Sequence, residues 1–202
     1  MSVKNQVLRA GRPREFNVDT AVEDAMLVFW EKGYDGTSLL DLLEGMDITR
    51  GSLYKAFGDK KSLFLKSLDQ YAERGLQETE LALNGQGLVI DSIRSSLLRA
   101  LKLSQGDSGR LGCFLVATAM EMSSKDDEIA CRVRSIFERL QKLYADTIIR
   151  GQLSGEINNE KNAHQLARLL VNQIEGMRVL GKVDDSCGDN DKMVELILGV
   201  LY

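Results

Sequence analysis

The sequence predicts an all-α protein, and three observations predict it. Apolar residues recur at helical spacing through every long segment, and no alternating strand pattern is evident. Ser38 to Phe64 reads as two short helices at a tight turn with a third following, the pattern of a helix-turn-helix DNA reader. With 202 residues and 44% hydrophobic content, the chain can bury one sizeable core plus a small satellite domain.

At the N-terminus, Lys4, Arg9, Arg12 and Arg14 precede the first acidic residue, Glu15, and the only proline is Pro13 in Ala10-Gly11-Arg12-Pro13-Arg14. Residues 1–15 therefore read as a flexible basic arm, disordered without DNA. Arg12 and Arg14 suit either a narrow minor groove or a solubilising tail. Phe16 and Asn17 then introduce a helix whose apolar face is Val18, Val22, Ala25, Met26 and Phe29, and Gly33 stops it. Trp30 reads as packing.

Leu39, Leu42, Leu43 and Met46 have helical spacing, and Ser38 with Asp41 three residues later makes a capping-box start. Gly45 and Asp47 tolerate the sharp turn that must follow, and Thr49 can cap the next helix. In that helix Leu53, Ala56 and Phe57 are expected to face inward. Thr49, Arg50, Ser52, Tyr54 and Lys55 remain on the outer side and first turn, where they suit base edges and phosphates. Gly51 costs a helix about 1 kcal/mol relative to alanine, which close approach to a DNA backbone would explain; a tolerated neutral glycine is the plainer alternative. Asp59 starts a further helix, with Lys60 and Lys61 in its first turn placed for phosphate.

Phe29 to Gly33, Thr37-Ser38, Ile48 to Tyr54 and Phe57-Gly58-Asp59-Lys60 together resemble the N-terminal domain of TetR-family transcriptional regulators, over roughly the first third of the chain. The resemblance adds Thr37 and Ser38 to the expected DNA-binding residues. It implies an all-helical homodimer with a three-helix DNA-binding head (residues 16–58) and a larger C-terminal domain (59–202) that dimerises and binds an effector. Leu43 stands where the family more often has a small residue, and Asp47 replaces the glycine usual at the turn.

From Asp59 the helical pattern runs through Phe64, Leu68, Tyr71, Ala72 and Leu76 to a break at Asn84-Gly85-Gln86-Gly87, long enough to act as a lever between head and body. Helical segments follow around Ile90 to Leu103, Leu111 to Met122, Asp126 to Arg150, Glu160 to Leu180 and Asp189 to Leu201. Ile129, Val133, Ile136, Phe137, Leu140, Leu143, Tyr144 and Ile148 give the third of these a core stripe. The last two are apolar over wide arcs, which need two neighbours. Leu166, Leu170, Ile174, Met177, Met193, Leu196, Ile197 and Val200 are therefore the expected dimer interface, as a four-helix packing across a two-fold axis; burial within one subunit is the alternative.

Tyr71, Arg110, Tyr144, Asn172, Gln173 and Glu175 bring polar atoms to otherwise apolar helices and are candidates to orient an effector. Cys113 follows Arg110 and Gly112 at a helix start, an environment that would favour thiolate and so a redox or electrophile switch, as in a branch of the same family; inert packing is the alternative.

A formal charge of −4 argues against indiscriminate nucleic-acid binding, so DNA contact must come from the local cluster of basic residues. Cys113, Cys131 and Cys187 have no metal-type spacing, His164 has no evident catalytic partner, and no signal or membrane-length segment is visible. The expectation is a cytoplasmic, non-enzymatic regulator without cofactor or metal, binding double-stranded palindromic operator DNA as a homodimer. An unidentified small-molecule effector would release it as a repressor; a ligand-independent architectural DNA-binding protein is the competing class.

Overall fold

The computed structural model describes residues 16–183 and 190–202; Arg12, Arg14, the rest of the basic arm and Cys187 lie outside the described residues. The helices are α1 (Val18–Lys32), α2 (Leu39–Gly45), α3 (Arg50–Phe57), α4 (Lys60–Leu83), α5 (Val89–Lys102), α6 (Gly106–Leu111), α7 (Phe114–Met122), α8 (Asp127–Ser154), α9 (Ala163–Leu180) and α10 (Asn190–Leu198), closed by a 3-10 turn at Gly199–Leu201. No strand occurs among the described residues, and no helix among them is long and apolar enough to cross a membrane.

Local chemistry sets the boundaries in the head. Asn17 Oδ1 accepts the Asp19 and Thr20 N–H groups to cap α1. The capping box at Ser38 and Asp41 is complete, and Thr49 and Asp59 cap α3 and α4 through the N–H groups of Ser52 and Ser62. Asp47 has φ +48°, the left-handed turn position the sequence assigned to it. Gly45 instead ends α2, where an added Cβ would sit 2.5 Å from Val28 Cγ2, so its smallness serves helix packing.

The core has two parts. Ala25, Met26, Phe29, Leu42, Leu53, Leu63, Phe64 and Leu68 from α1 to α4 bury together with Phe114, Leu115, Ile129, Val133 and Ile136 from α7 and α8. Each such leucine or phenylalanine contributes roughly 1.5–3 kcal/mol. A second part joins the end of α4 to α5, the far half of α8, α9 and α10 through Leu83, Ile93, Leu97, Tyr144, Ile148, Leu170 and Leu198. Phe137, Leu140 and Leu143 of α8 pack against both, as the predicted stripe requires. Helix α4 is 24 residues long, on the order of 36 Å, and runs from the head into the body.

Three expectations fail here, the first being Val18, which stands at the start of α1 exposed rather than on its apolar face. Leu111 to Met122 is not one helix: Gly112, at φ +71°, separates α6 from α7. Ala56 is exposed and does not join Leu53 and Phe57 in the core, because α3 is a short helix that only α4 and the rest of the head cover from one side.

Candidate DNA-reading face and effector cavity

Helix α3 is anchored by buried Leu53 and Phe57 and turns Thr49, Arg50, Gly51, Tyr54, Lys55 and Ala56 outward, with Ser52 half-buried. Thr49 and Ser52 hydroxyls lie 3.0 Å apart, and the Arg50 guanidinium sits 5.7 Å from the Tyr54 ring centroid. A capped first turn carrying an arginine, a glycine and a tyrosine on an exposed face can enter a major groove and hydrogen-bond base edges.

Three of the expected DNA contacts are engaged elsewhere. Thr37 is buried, and its hydroxyl donates to the Gly33 carbonyl at 2.6 Å, so its role is to shape the α1–α2 loop. Ser38 is exposed, but its hydroxyl is held by the Asp41 carboxylate at 2.6 Å in the capping box. Lys61 ion-pairs with Asp126 at 2.7 Å and Glu128 at 2.8 Å, which raise its pKa further, so it ties α4 to the start of α8. The acid run from Asp126 to Glu128 thus answers a lysine as well as a helix dipole. Lys60 lies 4.4 Å from the Tyr34 ring centroid, beside the N-terminus of α4.

A polar seam joins head and body. The Glu121 carboxylate, at the end of α7, accepts the backbone N–H groups of Tyr34 and Asp35, each at 2.8 Å. Gly33 sits under it at φ +75°, and a Cβ there would lie 2.8 Å from Glu121 Oε2. Lys125 pairs with Asp35 at 2.7 Å, and Trp30 Nε1 donates to the Leu111 carbonyl at 3.0 Å. Residues distant in the chain make these contacts, so periodicity carried no signal of them.

Above this seam, between the two core parts, lies a cavity of about 400 Å³. Its wall takes Met26, Leu27 and Trp30 from α1, Tyr71 and Leu76 from α4, Ala100 from α5 and Leu103 just after it, Ile136, Leu140 and Tyr144 from α8, and Ile174, Glu175 and Arg178 from α9. The expected effector residues Tyr71, Cys113 and Tyr144 line it together with Glu175. Asn172 and Gln173 do not, because both stand on the exposed face of α9, turned away from the inward stripe of Leu166, Leu170 and Ile174. Arg110 is exposed on α6 and also lies outside the wall. Trp30, Arg99 and Arg178 line it as well, beyond the residues the sequence points to, because no local pattern distinguishes a cavity-facing tryptophan from a core one.

Polar atoms cluster on one side of this space. The Tyr71 hydroxyl donates to Cys113 Sγ at 3.8 Å, and Arg178 Nη2 donates to the Gly112 carbonyl at 2.6 Å. Burial holds the Glu175 carboxyl above the usual carboxylate range, with Cys113 and Arg178 pulling the other way. Burial also pushes the Cys113 thiol up to about 12, and the Glu175 charge adds to this. The expected thiolate is therefore reversed: desolvation and a carboxylate outweigh Arg178 and the helix N-terminus. Tyr144 is fixed by a 2.7 Å hydrogen bond to Ser96.

The expected dimer residues divide. Leu166, Leu170, Ile174 and Ile197 are buried within the subunit's own core, Met177 and Val200 are half-buried, and Met193 and Leu196 are exposed. The apolar side chains left outside on the same helices are Leu169, Val179, Leu180, Met193 and Leu196.

Comparison with known proteins agrees with this architecture. Residues 21–66 match the family model for bacterial regulatory proteins of the tetR family, and residues 90–195 match that of the tetracyclin repressor-like C-terminal domain. The chain is 29% identical to the uncharacterised HTH-type transcriptional regulator YezE of Bacillus subtilis, over 95% of this chain and 99% of that protein. It is also 29% identical to the HTH-type transcriptional repressor ComR of Escherichia coli, over 84% of this chain and 81% of that one. A cysteine mutant of the regulator CifR, solved with 26-bp operator DNA, superposes with a TM-score of 0.85 at 27% identity, covering 95% of this chain and 100% of that one. A capped helix-turn-helix head, a long α4 and a helical body with a partly open cavity against the head are thus one arrangement, and the chain belongs to the TetR family of transcriptional regulators.

Proposed function

We propose that this regulator is a homodimeric repressor that holds a palindromic operator through α3 and releases it when a small molecule fills the cavity. In this reading residues 16–58 form the DNA-binding head, residues 59–202 the effector-binding and dimerisation domain, and the arm of residues 1–15 lays Arg12 and Arg14 along the minor groove. Two heads related by the two-fold axis address half-sites one helical turn apart.

The observation that carries the reading is the composition of the cavity wall. Met26, Leu27 and Trp30 belong to α1 of the head, while Leu140, Tyr144, Ile174 and Glu175 belong to the body. A molecule that fits only one spacing of these two groups biases the angle of the head, and α4 carries that bias to the α3 separation. A coupling of about 1–3 kcal/mol would change operator affinity roughly 5- to 150-fold.

The cavity volume also weighs against a ligand-independent architectural protein, whose body would be filled. A redox or electrophile switch through Cys113 is disfavoured by the buried, protonated thiol.

The test is selection of bound sequences from a pool of random duplexes, followed by titration of the complex with candidate molecules. A palindrome enriched by the protein and released by a compound that perturbs Trp30 emission is the expected result. Enrichment of no sequence would reject the specific-repressor reading.

A further inference from the structure

The cavity wall carries six charged side chains, and four of them pair with one another. Arg74 holds Glu23 in a two-point contact, and Arg99 donates through its Nη atoms to Glu78 at 2.7 Å and to Thr79 Oγ1 at 2.8 Å, its buried Nε being a further donor without a partner. The remaining two, Glu175 and Arg178, stand one turn apart on α9. Each is incomplete: Glu175 Oε2 and Arg178 Nε are buried and have no hydrogen-bond partner. A buried polar atom without a partner marks either a cost or a place where something else binds.

These two atoms ask for opposite things. Glu175 Oε2 needs a donor, and Arg178 Nε can only donate and so needs an acceptor. Met26, Leu27, Trp30, Leu76, Leu140 and Ile174 make an apolar part of the wall, which suits a hydrocarbon or aromatic body. A ligand amine would satisfy Glu175 but meet the like charge of Arg178, and a ligand carboxylate would do the reverse. Either ion would also lose part of its hydration at the buried Glu175–Arg178 end of the cavity, at a higher cost than a neutral polar group.

Resting on the reading of this cavity as the effector site, we infer that the effector is a mainly apolar molecule. Its polar end is uncharged, donates to Glu175 Oε2 and accepts from Arg178 Nε, as a primary carboxamide does.

The chain has one tryptophan, Trp30, and it lines the cavity, so its emission reports occupancy without a label. Three probes share one apolar body and differ only in the head: para-butylbenzamide, para-butylbenzoate and para-butylbenzylamine, with butylbenzene as the headless control. The benzamide is expected to bind roughly tenfold or more tightly than either ion, the worth of one hydrogen bond to a charged group. That preference should disappear in Glu175→Leu and persist in part in Glu175→Gln, which keeps an acceptor. The comparison among probes in the wild-type protein stands even where a variant fails to fold.

Preferred binding of the amine or the benzoate, or equal binding of all three regardless of Glu175, would overturn the assigned head chemistry while leaving the effector cavity in place. No response of Trp30 to any probe, butylbenzene included, would reject the cavity as an effector site and this inference with it.

Discussion

Glu121 on α7 receives the backbone N–H of Tyr34 at 2.8 Å, so a side chain of the body fixes the loop from which the helix-turn-helix begins. The Asp35 N–H shares the same carboxylate, and a Cβ on Gly33 beneath it would press within 2.8 Å of Glu121 Oε2. Replacing Glu121 by Ala removes both acceptors. The expected loss is about 1.5–3 kcal/mol of stability, the range for hydrogen bonds to a charged group, with Glu121→Gln losing less. Urea denaturation of the two variants against wild type checks this, and equal stability of all three would show that the seam is not held at Glu121.

Lys61 and Lys60 are neighbours in sequence with different surroundings. Lys61 faces Asp126 and Glu128, whereas Lys60 lies beside the Tyr34 ring at the start of α4. Lys60→Ala should lower the slope of log affinity against log salt by about one and weaken all sequences alike. Lys61→Ala should leave that slope unchanged. A loss of one counterion in Lys61→Ala would return this residue to the phosphate-binding set.

Arg50 and Gly51 lie side by side on the exposed first turn of α3. Arg50→Ala should relax base preference at one position of each half-site, at about 1–3 kcal/mol. An added Cβ at Gly51 meets only Thr49 Oγ1, at 4.0 Å, so nothing within the subunit requires glycine. Gly51→Ala should therefore raise head stability by about 1 kcal/mol while weakening operator binding, if the DNA backbone approaches here. A variant both more stable and equally tight on operator would make Gly51 a neutral glycine.

The Glu175 carboxyl titrates above its ordinary range because it is buried. A carboxyl whose folded pKa is raised keeps its proton longer in the native state, so native protein binds more protons than unfolded in that window and stability falls as pH rises through it. Below the unfolded carboxyl range the effect vanishes. Glu175→Gln should accordingly gain Tm over wild type at pH 8, with the gap closing toward pH 4, both values chosen to bracket the carboxyl range at about 4.3. Parallel Tm curves across that interval would remove the penalty from Glu175.

On the outer face of α9 and α10, Leu180 and Leu196 are exposed, whereas Leu170 is fully buried. Leu196→Asp should yield a folded monomer by light scattering, with half-sites no longer linked. Leu170→Asp should unfold the subunit, because an unpaired charge would enter its core. A folded, dimeric Leu196→Asp protein would place the interface on another surface.

What the sequence determined by itself is whatever neighbours in the chain decide. Asn17, Ser38 with Asp41, Thr49 and Asp59 cap helices through atoms two or three residues away, so the head was legible at nearly residue precision. The stripe from Ile129 to Ile148 was legible for the same reason, since helical period is a local property. Tertiary structure decided every choice between partners of similar chemistry. It paired Lys61 with Asp126, buried Thr37 behind Gly33, and withdrew Cys113 from water beside Glu175. It also divided the wide apolar arc of α9, taking Leu166, Leu170 and Ile174 into the core and leaving Leu169 and Leu180 outside. An arc's width shows that a helix has two neighbours; only the packing of α8 against one side shows which residues each neighbour takes, because burial belongs to the assembled surface and not to the period.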